Sequence, residues 1–188
     1  MSFIQDIDRY RPENEQERND QRQIIEYIRT HPFCLSRKDG VAHITVSVWT
    51  VNQTFTKTLM VYHKLYDSWS WIGGHADSNN DLKAVALQEL CEETGIADAK
   101  LFSDEIFSME LLPVSGHFKD GRYLPSHLHL NITYLAVANE TTPLTVNEHE
   151  NTAVRWFSFE EALSASTEPW MVETVYKKLI NKTVRITQ

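Results

Sequence analysis

Glu89, Glu92 and Glu93 sit in the run Gln88-Glu89-Leu90-Cys91-Glu92-Glu93-Thr94-Gly95-Ile96, a spacing that turns three carboxylates toward one side of a helix. At ~100° per residue they fall within an arc of roughly 100°, while Ala84, Leu87, Leu90 and Cys91 gather on the opposite, apolar side. The last two turns of a helix are where its dipole is negative and its carbonyls unpaired, so acids are least favoured there. Like charges at i,i+4 cost a further ~0.2–0.5 kcal/mol. Such clustered oxygens become a binding site when a hard divalent cation joins them, and oxygen donors select Mg2+ or Mn2+. Gly73-Gly74, read as a turn that ends a short strand, lets a backbone carbonyl approach the same spot. A solvated acidic face is the chemistry-free alternative.

The stretch Gly74 to Ile96 resembles the Nudix box of the Nudix hydrolases, G-x5-E-x7-R-E-U-x-E-E-x-G-U with U a bulky aliphatic residue. Gly74, Glu89, Leu90, Glu92, Glu93, Gly95 and Ile96 match in register, whereas the family's first Glu falls on Asn80 and its Arg on Gln88. In the family those two form a bracing ion pair. Asn80 and Gln88 would replace it by a neutral amide–amide hydrogen bond, with Asp81 as an alternative acceptor for Gln88. The likeness extends to Trp69-Ser70-Trp71-Ile72 before the glycines, and to Val154-Arg155-Trp156-Phe157 with Glu160-Glu161-Ala162-Leu163 after them, covering about Ala42 to Leu163.

The resemblance implies an α/β fold, an α/β/α sandwich with a mixed β-sheet. The implied activity is metal-dependent hydrolysis of a diphosphate linkage in a nucleoside diphosphate derivative. The implied metal shell is Glu89, Glu92, Glu93 and the Gly73 carbonyl, with Glu89 positioning the ion or the water and Glu150 as general base. Glu148 lies in the same loop, and Glu150 is preferred for its distance from Trp156. Gly74 and His75 are placed to touch substrate phosphate. His127 and His129 alternate with Leu128, Leu130 and Ile132, and with Asn131 and Thr133 they form a polar strand face that either lines the site or is open to solvent. Two rivals exist: a nucleotide-binding sensor that does not cut, suggested by Asn80 and Gln88, and a prenyl diphosphate isomerase, which would need a catalytic Cys in the pocket.

The elements that must hold these residues follow from periodicity and punctuation. Asn14 to Thr30 reads as a helix closed by Pro32; Ala42 to Val51 alternates as a strand and pairs with Thr58 to His63 across an Asn52-Gln53 turn. Trp69 to Ile72 is a short strand, and Asp81 to Thr94 a helix stopped by Gly95. Ile106 to Val114 and His127 to Ala138 pair antiparallel around a turn with Asp120-Gly121. Ser158 and Glu161 form a capping box for a helix through Leu163, and Pro169 opens a last helix to Ile180.

At 188 residues the chain reads as a single domain, 1–188, with an N-terminal helical extension over about 1–35. Hydrophobic residues at 41% and charged residues at 23% argue against disorder. The net charge of −8, with no Lys/Arg cluster, argues against a duplex nucleic-acid partner. No apolar window reaches the ~18 residues of a membrane span, and Met1 to Arg29 lacks a signal peptide, so a cytoplasmic protein without a membrane partner is expected, either monomer or homodimer. Cys34 and Cys91 are expected to be reduced structural thiols, and Trp49, Trp69, Trp71 and Phe118 either stack on a base or belong to core and cover. Pro113, 17 residues beyond Ile96, lies near but not at the spacing of a proline in ADP-ribose hydrolases, which the chain resembles only in that respect.

Overall fold

Two helices lead the chain in the computed structural model, α1 (Phe3–Arg9) and α2 (Glu15–Thr30). The structure describes residues 3–119 and 121–188. The Asn14 side chain caps α2 by accepting from the Glu17 N–H at 2.8 Å, as its residue type favours. Strands β1 (Ala42–Asn52), β2 (Lys57–His63), β3 (Ser68–Ser70) and β4 (Ile72–His75) come next, followed by helix α3 (Leu82–Thr94). Then come β5 (Lys100–Leu101), β6 (Ser108–Val114), β7 (His117–Lys119), β8 (Arg122–Leu124), β9 (His127–Ala138) and β10 (Asn151–Ser158). Helix α4 (Phe159–Ala165), a π-helical turn (Met171–Tyr176) and α5 (Lys177–Ile186) complete the order.

The fold is α/β with a largely antiparallel sheet, in hydrogen-bonded order β10-β2-β1-β9-β5, with β3 on β2, β4 on β1 and β6 on β9; β7 and β8 form a separate hairpin. The register between β6 and β9 runs from Ser108↔Thr133 to Val114↔His127, the antiparallel pairing expected from sequence. Asp120, half of the expected turn between them, lies outside the described residues; the β7–β8 hairpin in that connection was not foreseen.

The chain forms two compact units. The first comprises Met1–Ser47, Gly74–Val85 and Glu105–Tyr134. Here α2 packs on β6, and between them lies a buried polar layer: Ser108 Oγ is 2.8 Å from Glu17 Oε1. Asn131 Nδ2 donates to Glu110 Oε2 at 3.1 Å, while Thr45 and Ser47 donate to Asn131 Oδ1 at 3.1 and 2.9 Å. Asn131 and Thr133 therefore neither line a site nor face solvent, contrary to both readings of that strand face, because β1 and β6 on either side supply their partners. All of β1 is buried, its polar positions included.

The second unit comprises Val48–Gly73, Ala86–Asp104 and Leu135–Gln188. Here β10 pairs with β2 from Ser158↔Lys57 to Asn151↔His63, and Ser158 with Glu161 makes the expected capping box of α4. Trp49 is fully buried and donates through Nε1 to Thr183 Oγ1 at 3.1 Å, so it is core; Trp69 stands edge-on to Phe157 at 4.7 Å and Trp71 edge-on to Tyr176 at 6.0 Å. The last helical segment runs beyond the expected Ile180 to Ile186.

Gly95 ends α3 with φ +78°, its N–H bonded to the Cys91 carbonyl at 2.8 Å. A Cβ there would meet Thr145 Oγ1 at 3.0 Å. Gly95→Ala is expected to destabilise the protein by about 1 kcal/mol or more, through both the left-handed backbone and that contact, read as a lowered denaturation midpoint at unchanged slope.

Candidate active site

Asp81 caps α3 by accepting from the Ala84 N–H at 3.1 Å, which fixes where each glutamate of the helix points. Taking Leu90 as the centre of the buried side, Glu93 lies about 60° away, Glu89 about 100° and Glu92 about 160°, at ~100° per residue. Exposure follows that order: Glu93 is 3% exposed, Glu89 half-buried and Glu92 exposed. The expected shared outward face is thus corrected. Glu93 belongs to the buried side with Leu82, Val85, Ala86 and Leu90, whereas Ala84 is exposed and Leu87 and Cys91 are half-buried.

Burying Glu93 requires donors, and two arrive from elsewhere in the second unit. The Gly73 N–H donates to Oε1 at 3.0 Å and Asn151 Nδ2 to Oε2 at 2.7 Å. Gly73 and Gly74 are not in a turn, as expected, but within extended β4; the reversal falls later, at Asp77 (φ 46°) and Ser78 (φ 72°). The extended backbone is what aims the Gly73 N–H at the carboxylate.

Burial pushes Glu93 up to about 8, and the charges of Glu89 and Glu150 push the same way against the two hydrogen bonds. Glu150 is half-buried in the turn before β10, where its carbonyl accepts from the Lys64 N–H at 3.0 Å. Its neighbour Asn151 was not singled out in the sequence. Asn151 Oδ1 is buried without a hydrogen-bond partner while its own amide holds Glu93. An orphaned hard oxygen beside a carboxylate suits a divalent cation, so the donor set fits the ion that the sequence implies.

Gln88 donates to Glu92 Oε1 at 2.7 Å, one helical turn on. The expected Asn80–Gln88 contact and its Asp81 alternative are therefore replaced: Asp81 is engaged as the cap of α3, and the amide of Gln88 steadies a box glutamate instead.

The first unit holds Gly74 and the three histidines expected on substrate, and it adds His43 of β1. His43 stacks on His127 at 5.0 Å between centroids, with His75 and His129 at 5.1 and 5.2 Å. Burial, then the charges of Arg37 and His43, holds His75 down to about 3. Burial and then the neighbouring histidines hold His129 down to about 2, and burial lowers His43 as well. Burial thus disfavours in all three the charged form that would meet a phosphate. Cys34 is buried and its thiol pushed up by burial, which removes it as a thiolate nucleophile; Cys91 is also free.

A model of the NUDIX domain family matches residues 41–178, most of the chain. The chain belongs to the Nudix hydrolase family. Hydrolysis of diphosphate linkages in small nucleotide derivatives is that family's chemistry, and its enzymes generally use a divalent metal. Among solved structures, a NUDIX-family hydrolase from Clostridium perfringens is 22% identical, with a TM-score of 0.52 over 73% of this chain and 95% of that one. A C. elegans Ap4A hydrolase is 18% identical, with a TM-score of 0.53 over 77% and 96%. The E. coli dihydroneopterin triphosphate pyrophosphohydrolase is 14% identical, with a TM-score of 0.56 over 73% and 95%. At these identities the likeness is one of fold. No curated protein sequence matches this Nudix chain. No helix among the described residues is long and apolar enough to cross a membrane.

Two predictions follow the geometry of this Nudix box. The folded pKa of Glu93 lies above its unfolded value, so in metal-free protein its stabilising effect is full below pH 4.5 and lost as pH rises to about 8. Glu93→Gln should remove that decline, because the amide can accept from Gly73 and donate to a flipped Asn151. The difference in melting temperature between wild type and variant, measured with chelator across this window, should widen with pH. Asn80→Ala and Gln88→Ala, lacking a shared contact, should act additively within about 0.5 kcal/mol in a double-mutant cycle on stability.

Proposed function

We propose that this chain hydrolyses the diphosphate linkage of a nucleoside diphosphate derivative with Mg2+ or Mn2+ as cofactor. The observation that carries this reading is the unpartnered, buried Asn151 Oδ1 beside the buried Glu93, two hard oxygen donors of the kind a divalent cation takes. Glu89, Glu92, Glu93, the Gly73 carbonyl and Asn151 Oδ1 are the groups that would hold the ion. When bound, the cation polarises phosphoryl oxygens, acidifies water and neutralises the leaving phosphate.

The chain's own residues supply the rest. Glu150, whose charge is felt at Glu93, accepts the proton of the attacking water. Gln88 orients Glu92 through its amide, a neutral brace where relatives carry an ion pair. Glu89 adds the negative charge that favours the cation and positions it or the water. Gly74 is the backbone position read as touching substrate phosphate. The same reading takes 1–188 as one Nudix domain with a helical extension over about 1–35, acting in the cytoplasm on a small molecule rather than on nucleic acid or membrane.

A panel of nucleoside triphosphates, nucleotide sugars, ADP-ribose, dinucleoside polyphosphates and NADH, each with Mg2+ or Mn2+, tests this. Metal-dependent release of a nucleotide product is expected, and Glu150→Gln should lower kcat by about 10²–10⁴-fold. Stoichiometric binding of a panel member with no turnover in either metal would replace hydrolysis by the sensor reading.

A further inference from the structure

Within the first unit, four histidines from three strands converge: His43 on β1, His75 at the end of β4, and His127 and His129 on β9. One ring nitrogen from each of His43, His75 and His129 lies within 4.8 Å of the other two. The Nε2 atoms of both His43 and His129 are buried without a hydrogen-bond partner. Nδ1 of His43 is 3.0 Å from the Asp39 carbonyl oxygen. A carbonyl only accepts, so that Nδ1 carries the proton and Nε2 presents its lone pair inward. This is the arrangement by which a backbone carbonyl orients a metal-ligating imidazole.

We propose that His43, His75 and His129 form a binding site for one transition-metal ion of the zinc class, each donating one ring nitrogen. Imidazole nitrogen suits Zn2+, Co2+, Ni2+ or Cu2+, whereas Mg2+ and Mn2+ prefer the oxygens of the Glu93 cluster, so the two sites divide metals by ligand chemistry. Three nitrogens around a tetrahedral ion at ~2.0–2.1 Å stand about 3.4 Å apart, so ring rotations close the observed spacing onto the ion. His127, with Nδ1 2.9 Å from the Pro125 carbonyl oxygen, stacks on His43 and walls this set without joining it. The fourth position is left to water. The ion would tie β1, β4 and β9 together and satisfy both orphaned nitrogens at once.

Zinc titration of chelator-stripped full-length protein against a chromophoric competitor, with excess Mg2+ present, tests this; Co2+ provides a visible spectrum of the same site. The expected result is one Zn2+ per chain, undiminished by Mg2+, with Co2+ giving the visible absorption of a four-coordinate nitrogen site. Saturable binding should be lost in His129→Ala and unchanged in Glu92→Gln. If His129→Ala is misfolded by circular dichroism, His43→Gln provides the same test. Absence of saturable zinc binding by the wild type, its retention in folded His129→Ala or His43→Gln, or its loss in Glu92→Gln would each overturn the site. The readout is metal binding alone, so a failed hydrolase assay leaves the outcome unaffected.

Discussion

A carboxylate taken out of water needs donors or a cation, and Glu93 at 3% exposure has two of the first, the Gly73 N–H and the Asn151 amide. Those bonds join three segments distant in sequence: β4, the last turn of α3 and the start of β10. They do not fully compensate the desolvation, as the upward displacement of the Glu93 pKa to about 8 shows. The remaining deficit is concentrated at one place, where Asn151 Oδ1 is also unpaired. Local instability of that kind is what a binding site costs the apo protein, and the fold must offset it elsewhere.

That offset begins in the helix that carries the acids. Asp81 fixes the start of α3 and Gly95 its end, and between them the pitch decides which glutamate is buried. Apart from Asp81 at its start, α3 has no acid in its first turn and no base in its last to favour its dipole. Its position rests on the apolar residues Leu82, Val85, Ala86 and Leu90, all buried. Core packing therefore sets the geometry of the carboxylates, and the carboxylates weaken the helix that bears them.

The box was legible because its spacing is local: a run of residues on one helix has a phase that sequence alone can compute. The same arithmetic missed the inward turn of Glu93, because Leu90 was grouped with Ala84 and Cys91 as a face centred too far from it. Asn151 was illegible because its partner Glu93 lies 58 residues away. His43 was hidden likewise, since its ring neighbours come from β4 and β9. The alternation of β1 and β9 predicted both strands correctly, and misread the polar face of β9 at Asn131 and Thr133. Period-2 patterning identifies a polar face but cannot tell water from a buried network as the partner of that face.

The buried network shows what the fold does when no ligand is involved. In the first unit Glu17, Glu110, Asn131 and Thr133 are at most 1% exposed, and each meets a partner from another strand or from α2. Polar burial there is satisfied within the protein, and it gives α2 a specific seat on β6. Five buried side-chain atoms among the described residues lack such partners. Three of them, Asn151 Oδ1 and the Nε2 atoms of His43 and His129, fall at the two clusters of chemically active side chains. A chain able to pair a layer as polar as that beneath α2 has the means to pair a lone amide oxygen or an imidazole. Three of five such atoms gathered at these two clusters is the pattern expected when the missing partner comes from solution, an oxygen-seeking cation at one cluster and a nitrogen-seeking one at the other.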